Sequence, residues 1–89
     1  LLVEPRSRLS LQSHKNRQET WVILEGEATI TIDENVFTKT KNETIHISKG
    51  KKHRLENKSG EILKIIEIQT GSYFGEDDII RYDDDYGRN

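Results

Sequence analysis

Short runs of β-branched and aromatic residues, separated by turn-forming residues, repeat along most of this chain. Turns recur at intervals of about 8–12 residues, which is typical of antiparallel sandwiches and barrels. A helical period of about 3.6 residues does not extend over any stretch of about ten residues. The pattern therefore predicts an all-β fold. The predicted strands are Leu9–Ser13, Trp21–Leu24, Ala28–Asp33, Val36–Thr40, Thr44–Ser48, His53–Glu56 and Ile62–Gln69.

Composition narrows the function classes. The 89 residues carry a net charge of −2, which gives no general basic surface for nucleic acid. No apolar run approaches the ~20 residues of a membrane span, and the absence of cysteine excludes disulfide and thiolate chemistry. We expect a cytoplasmic protein with neither a nucleic-acid nor a membrane partner. Because the chain does not begin with Met, we also expect a fragment of a longer protein.

Two regions differ in character. Residues 1–70 carry the strand pattern and are predicted to form a barrel, whereas residues 71–89 form an acidic and aromatic tail expected to pack along that barrel. The strand Trp21–Leu24 is apolar on both faces, so both faces should be covered. In so small a barrel, a second subunit is a plausible cover, and we expect a homodimer.

Four side chains have the chemistry of metal ligands: Gln12, His14, Glu19 and His53. Strand alternation places Gln12 and His14 on the same face. A mixed set of nitrogen and oxygen ligands suits a divalent first-row metal. Two alternatives stay open, because Gln12 could orient a water molecule instead and an isolated His53 could be an exposed polar residue.

The spacing of these residues resembles that of a known superfamily. Gln12-x-His14-x4-Glu19-x6-Gly26 and Gly50-x2-His53-x3-Asn57 are similar to the two motifs of the cupins. The tail, Gly71-Ser-Tyr-Phe-Gly-Glu-Asp-Asp-Ile-Ile-Arg81 followed by Asp84-Asp-Tyr-Gly-Arg88, resembles the C-terminal cupin domain of type II phosphomannose isomerase. That domain is often fused behind a mannose-1-phosphate guanylyltransferase domain.

The resemblance implies a cupin-type double-stranded β-helix, which is a jelly-roll barrel. It also implies a divalent metal, with zinc as first choice and manganese, cobalt or nickel as alternatives. The implied reaction is the interconversion of mannose 6-phosphate and fructose 6-phosphate, which feeds GDP-mannose and polysaccharide synthesis. The partner would then be a sugar phosphate.

Two further residues are candidates for the chemistry. Arg17 could hold a phosphate, because a planar guanidinium matches phosphate oxygens, or it could form a surface salt bridge. Glu67 shares a strand face with apolar neighbours, so its pKa could be raised and its carboxylate could act as a base. His46 is interpreted as a structural or exposed residue, and Asn57 as a residue that fixes a turn and does not touch the substrate.

The departures from the family pattern support a competing hypothesis. Lys15, Asn16 and Thr20 stand where the family usually has histidines. The alternative is a non-catalytic cupin that binds sugar or metal, dimerises, or supports an attached guanylyltransferase. Dioxygenation is a third possibility, but it would favour three histidines with a glutamate and iron, and Gln12 argues against it. Guanylyltransferase activity cannot reside here, because the chain has no Gly-rich nucleotide loop.

Overall fold

The computed structural model describes residues 1–83 of the protein. Within this range the chain is built almost entirely of β-strands, with one short 3₁₀ helix at Glu76–Asp78. The strands are β1 (Leu2–Val3), β2 (Ser7–Arg8), β3 (Leu11–His14), β4 (Arg17–Glu25), β5 (Ala28–Ile32), β6 (Asn35–Lys39), β7 (Thr44–Ile47), β8 (His53–Asn57), β9 (Leu63–Gly71) and β10 (Ile79–Asp83).

Two antiparallel sheets make up the fold. The smaller sheet has the order β1-β9-β4-β7, and the larger has the order β10-β3-β8-β5-β6, with β2 paired to β8. The predicted all-β class is confirmed. This order puts β3 and β8 side by side in one sheet and β4 and β9 side by side in the other.

The strand boundaries differ from the predicted ones in two informative places. The strand predicted from Trp21 begins four residues earlier, at Arg17. Arg17 and Glu19 face the interior of the barrel, so this part of the strand lacks the apolar pattern on which the prediction relied. In the tail, where no strand was predicted, β10 pairs with β3 through Ile79↔His14 and Ile80↔Ser13. The second half of the tail motif, residues 84–89, lies outside the described residues.

The hydrophobic core lies between the sheets and is formed by alternate residues of their facing strands. Ile23 on β4 and Leu63 on β9 come from the smaller sheet, while Ile30 on β5 and Leu55 on β8 come from the larger. All four side chains are fully buried. Buried polar side chains lie on the same two sheets, with Glu19 on β4, His14 on β3 and His53 on β8. Among the described residues, no helix has the length and apolarity that would let it cross a membrane.

Gly26 allows the β4–β5 turn to lie against β9. Its φ of +89° is in the left-handed region, and a Cβ there would lie 2.8 Å from the Ile62 carbonyl oxygen. Gly50 has a similar φ of +80°, but a Cβ there would meet nothing within 4 Å. Gly50→Ala therefore isolates the backbone cost, which is about 1 kcal/mol.

We expect Gly26→Ala to lower the free energy of unfolding by about 2–3 kcal/mol, because steric overlap with β9 adds to the backbone cost. Urea denaturation of both variants measures the difference. Equal destabilisation by the two substitutions would show that the close approach of Gly26 to β9 contributes nothing.

Candidate metal centre

Three ligand-type side chains from three strands meet between the two sheets. His14 ends β3, His53 begins β8 and Glu19 lies on β4 in the opposite sheet. Glu19 Oε2 lies 3.4 Å from His14 Nε2 and 3.3 Å from His53 Nε2. One ligand atom from each of the three residues lies within 4.8 Å of the other two. All three side chains are buried.

Glu19 is held as a carboxylate. Its Oε1 accepts hydrogen bonds from Trp21 Nε1 at 3.4 Å and from Gln69 Nε2 at 3.3 Å. Burial raises the pKa of Glu19, but the neighbouring His14 and His53 rings outweigh that effect and bring the pKa well below its usual range. The ionised form is the one that binds metals.

The other oxygen, Oε2, supplies the test of whether a cation fits. It is buried and makes no hydrogen bond, although both imidazoles lie close to it. Ligand atoms that share one metal at about 2.0–2.2 Å are themselves separated by about 3.0–3.5 Å. The separations from Glu19 to the two histidines fall in that range. The donor set and its spacing therefore fit a divalent metal.

Gln12 lies beside this cluster. It pairs with His53 across β3 and β8, and it shares a strand face with His14. Its Nε2 donates a hydrogen bond to Ser10 Oγ at 3.2 Å. With the amide nitrogen engaged in this way, the carbonyl oxygen is the atom that can serve as a ligand.

Arg17 lies beneath the cluster and is only 6% exposed. Its Nη2 contacts His14 Nδ1 at 3.0 Å, and its Nη1 donates to the Phe74 carbonyl oxygen at 3.1 Å and to Gln69 Oε1 at 3.4 Å. The Arg17 Nε is buried and makes no hydrogen bond. An anionic ligand could accept a hydrogen bond from this Nε–H and balance the buried positive charge.

A cavity of about 370 Å³ contains all of these groups. Its wall combines the ligand-type side chains with Arg17 and with two residues of β9, Glu67 and Gln69. Glu67 is exposed at the rim, yet partial burial of its carboxyl group and the negative charge of Glu19 raise its pKa. The remaining lining residues are Leu9, Ser10, Trp21, Arg54, Leu55, Phe74, Glu76 and Ile79.

The two residues interpreted as structural lie away from the cluster. His46 is exposed on β7, and its Nδ1 contacts Thr20 Oγ1 at 3.1 Å. Asn57 is fully buried and fixes the turn after β8, where its Nδ2 donates to the carbonyl oxygens of Val3 and Glu61.

Sequence reasoning missed two side chains that hold Glu19. Trp21 lies two positions after Glu19 on the same strand face, and its ring contacts His53 edge-on with centroids 5.7 Å apart. Gln69 lies two positions after Glu67 on β9 and pairs with Glu19. Alternation alone puts Trp21 on the face of Glu19 and Gln69 on the face of Glu67, whereas the contact of Gln69 with Glu19 depends on the pairing of β4 with β9.

The family described as mannose-6-phosphate isomerase C-terminal matches residues 1–84. This chain belongs to that family. The resemblance noted in its motifs is therefore confirmed.

Curated relatives of this mannose-6-phosphate isomerase C-terminal domain include alginate and xanthan biosynthesis proteins. It is 49% identical over 88 residues to the alginate biosynthesis protein AlgA of Pseudomonas putida, covering 99% of this chain and 18% of the relative. It is 46% identical over 88 residues to the xanthan biosynthesis protein XanB of Xanthomonas campestris, covering 99% and 19%. A mannose-1-phosphate guanylyltransferase of Salmonella montevideo is 46% identical over 89 residues, covering 100% and 19%. The chain thus spans about one fifth of the length of these relatives.

Solved structures confirm the cupin fold of this family member. A protein of Klebsiella pneumoniae with a double-stranded β-helix domain matches with a TM-score of 0.79 and 17% identity, over 92% of this chain and 70% of that one. A Cupin 2 conserved barrel domain protein of Salinispora arenicola matches with a TM-score of 0.70 and 18% identity, over 76% and 56%.

Proposed function

We propose that this domain binds a divalent metal, with zinc as first choice, through His14, Glu19 and His53 with Gln12 as a further ligand, and interconverts mannose 6-phosphate and fructose 6-phosphate. The observation that carries the proposal is the buried Glu19 oxygen that faces two imidazoles without a hydrogen bond. It lies in a cavity that also holds the buried guanidinium of Arg17. Membership of the isomerase family and the polysaccharide-synthesis relatives support the choice of substrate.

The residues that line the cavity would have separate roles in binding and catalysis. Arg17 would bind the phosphate and so fix the sugar, since its guanidinium is buried and its Nε has no partner. Glu67 would move the proton between C1 and C2, because a raised pKa makes a carboxylate a stronger base. A bound divalent metal would supply Lewis-acid polarisation of the substrate carbonyl. Trp21 and Gln69 would keep Glu19 ionised and oriented.

An enzyme-coupled assay of fructose 6-phosphate formation from mannose 6-phosphate tests this proposal. The metal-free protein, prepared with a chelator, should be inactive because carbonyl polarisation is lost. We expect activity to return on addition of Zn²⁺, Mn²⁺, Co²⁺ or Ni²⁺. Absence of turnover with every metal, from protein whose circular dichroism spectrum is that of a folded β domain, would refute the isomerase assignment.

The second candidate is a non-catalytic cupin that dimerises or supports an attached guanylyltransferase. Its particular support is the outer face of the smaller sheet, where Ile66 is 47% and Ile68 is 49% exposed. Apolar residues exposed side by side favour a protein partner. Sedimentation analysis of the same metal-loaded protein separates the candidates. Inactive dimers would support the non-catalytic candidate, whereas an active monomer would exclude it.

A further inference from the structure

The segment after β9 wraps around the turn that joins β3 to β4. This turn consists of Lys15 and Asn16, and it separates the candidate ligand His14 from Arg17. The Ser72 N–H donates to the Asn16 carbonyl oxygen at 3.0 Å. Gly71 lies so close to the turn that a Cβ there would overlap Asn16 and Arg17. The tail thus contacts the turn between His14 and Arg17 through backbone atoms before β10 begins.

The strongest part of this contact comes from Asp78, the last residue of the 3₁₀ helix. Its Oδ1 accepts hydrogen bonds from the Lys15 N–H at 3.1 Å and from Asn16 Nδ2 at 2.9 Å. Its Oδ2 accepts from the Asn16 N–H at 3.1 Å. Asp78 is only 6% exposed, and its three hydrogen bonds are partly buried. One carboxylate thereby satisfies three donors of the turn.

We propose that Asp78 is a positioning residue that sets His14 and Arg17 against His53 by clamping the Lys15–Asn16 turn. The two backbone bonds fix the path of the chain immediately after His14 and immediately before Arg17. A shift of the turn would move the His14 and Arg17 side chains together, because both residues of the turn are bonded to Asp78. Asp78 itself is absent from the cavity lining and acts only through the turn.

Asn16 gives the clamp a third bond that is particular to this side chain. The amide nitrogen of Asn16 points to Asp78. The residue is therefore assigned to support of the turn. The cluster of His14, Glu19 and His53 forms without Asn16.

Asp78→Asn tests the proposal, with Asp77→Asn as the matched control. Asparagine keeps the shape but places an NH₂ group where one carboxylate oxygen accepted a backbone N–H. Asp77 lies on the same 3₁₀ helix, is exposed, and accepts a hydrogen bond from the Tyr73 hydroxyl. The two variants lose the same charge from the same helix, but only Asp78→Asn loses the clamp.

The inference rests on the proposed metal site, so the test needs readouts both with and without the metal. For Asp78→Asn we expect at least a tenfold lower Co²⁺ affinity, an altered Co²⁺ absorption spectrum and faster hydrogen exchange at the Lys15 and Asn16 amides. Asp77→Asn should stay within twofold of the parent protein in affinity and exchange. Equal affinity for Asp78→Asn and the parent protein, or equal weakening in both variants, would overturn the inference.

Two further outcomes are distinguishable. If the parent protein binds no Co²⁺, the metal site fails, and the His14 ring signals in NMR decide the clamp: they should shift in Asp78→Asn but not in Asp77→Asn. If Asp78→Asn does not fold, Asn16→Ala removes one bond and leaves the two backbone bonds. It should lower Co²⁺ affinity by about threefold, and an unchanged affinity would refute the clamp.

Discussion

His53→Ala is expected to lower the affinity of the protein for Zn²⁺ by at least about 100-fold. The substitution removes one of three ligand-type side chains that meet between the sheets. It also removes one of the two imidazoles that lower the pKa of Glu19. Isothermal titration calorimetry with a competing chelator measures the change.

His46→Ala is the matched control for that experiment. The chain has three histidines, and His46 is the one outside the cluster. It is exposed, and its Nδ1 contacts the Thr20 hydroxyl. Its replacement should leave Zn²⁺ affinity within twofold of the parent protein. A His53→Ala protein that binds Zn²⁺ like the parent would mean that the ligand set is wrong.

Arg17→Gln is expected to lower kcat/KM for mannose 6-phosphate by about 100-fold, which corresponds to about 2.7 kcal/mol. The amide is neutral and cannot hold a phosphate with two parallel N–H donors. Arg17→Lys keeps the charge but loses the planar fork, so it should recover only part of the activity. The loss should appear mainly in KM, since phosphate binding holds the substrate before and during the reaction.

Two controls make the Arg17 result specific. Because Arg17 also contacts His14 Nδ1, Zn²⁺ affinity must be measured for each variant and is expected to change less than kcat/KM. Lys52→Gln removes a cation whose ammonium group lies over the Tyr82 ring, 4.4 Å from its centroid. It should leave KM unchanged. If Lys52→Gln raises KM as much as Arg17→Gln does, the assignment of the phosphate to Arg17 is wrong.

Strand alternation accounts for what the sequence predicted well. A period of two is enough to place Gln12 with His14, and Glu67 with its apolar neighbours, on shared strand faces. The same rule underestimated β4, because Arg17 and Glu19 are polar residues that face inwards and so broke the apolar pattern. Polar residues that face a barrel interior give a sequence pattern like that of a loop, because the partners that bury them lie on other strands.

Long-range partners could not be read from the sequence. Asp78 is 62 positions from Asn16, and an acidic residue in an acidic tail gives no sign that it is buried. Its role depends on the antiparallel pairing of β10 with β3, and that strand has little alternation to predict it. Register and burial of this kind come from tertiary packing, which overrides local preference.

The pairing of Gln12 with His53 has a consequence for folding. A slip of one residue between β3 and β8 would turn His14 to the opposite face, because strand side chains alternate. The three-residue cluster forms only when both sheets are correctly aligned, so a cation that binds it would favour the aligned state over every slipped one. Metal binding would then stabilise the correct strand register, and a supply of the cation during synthesis would raise the yield of native protein.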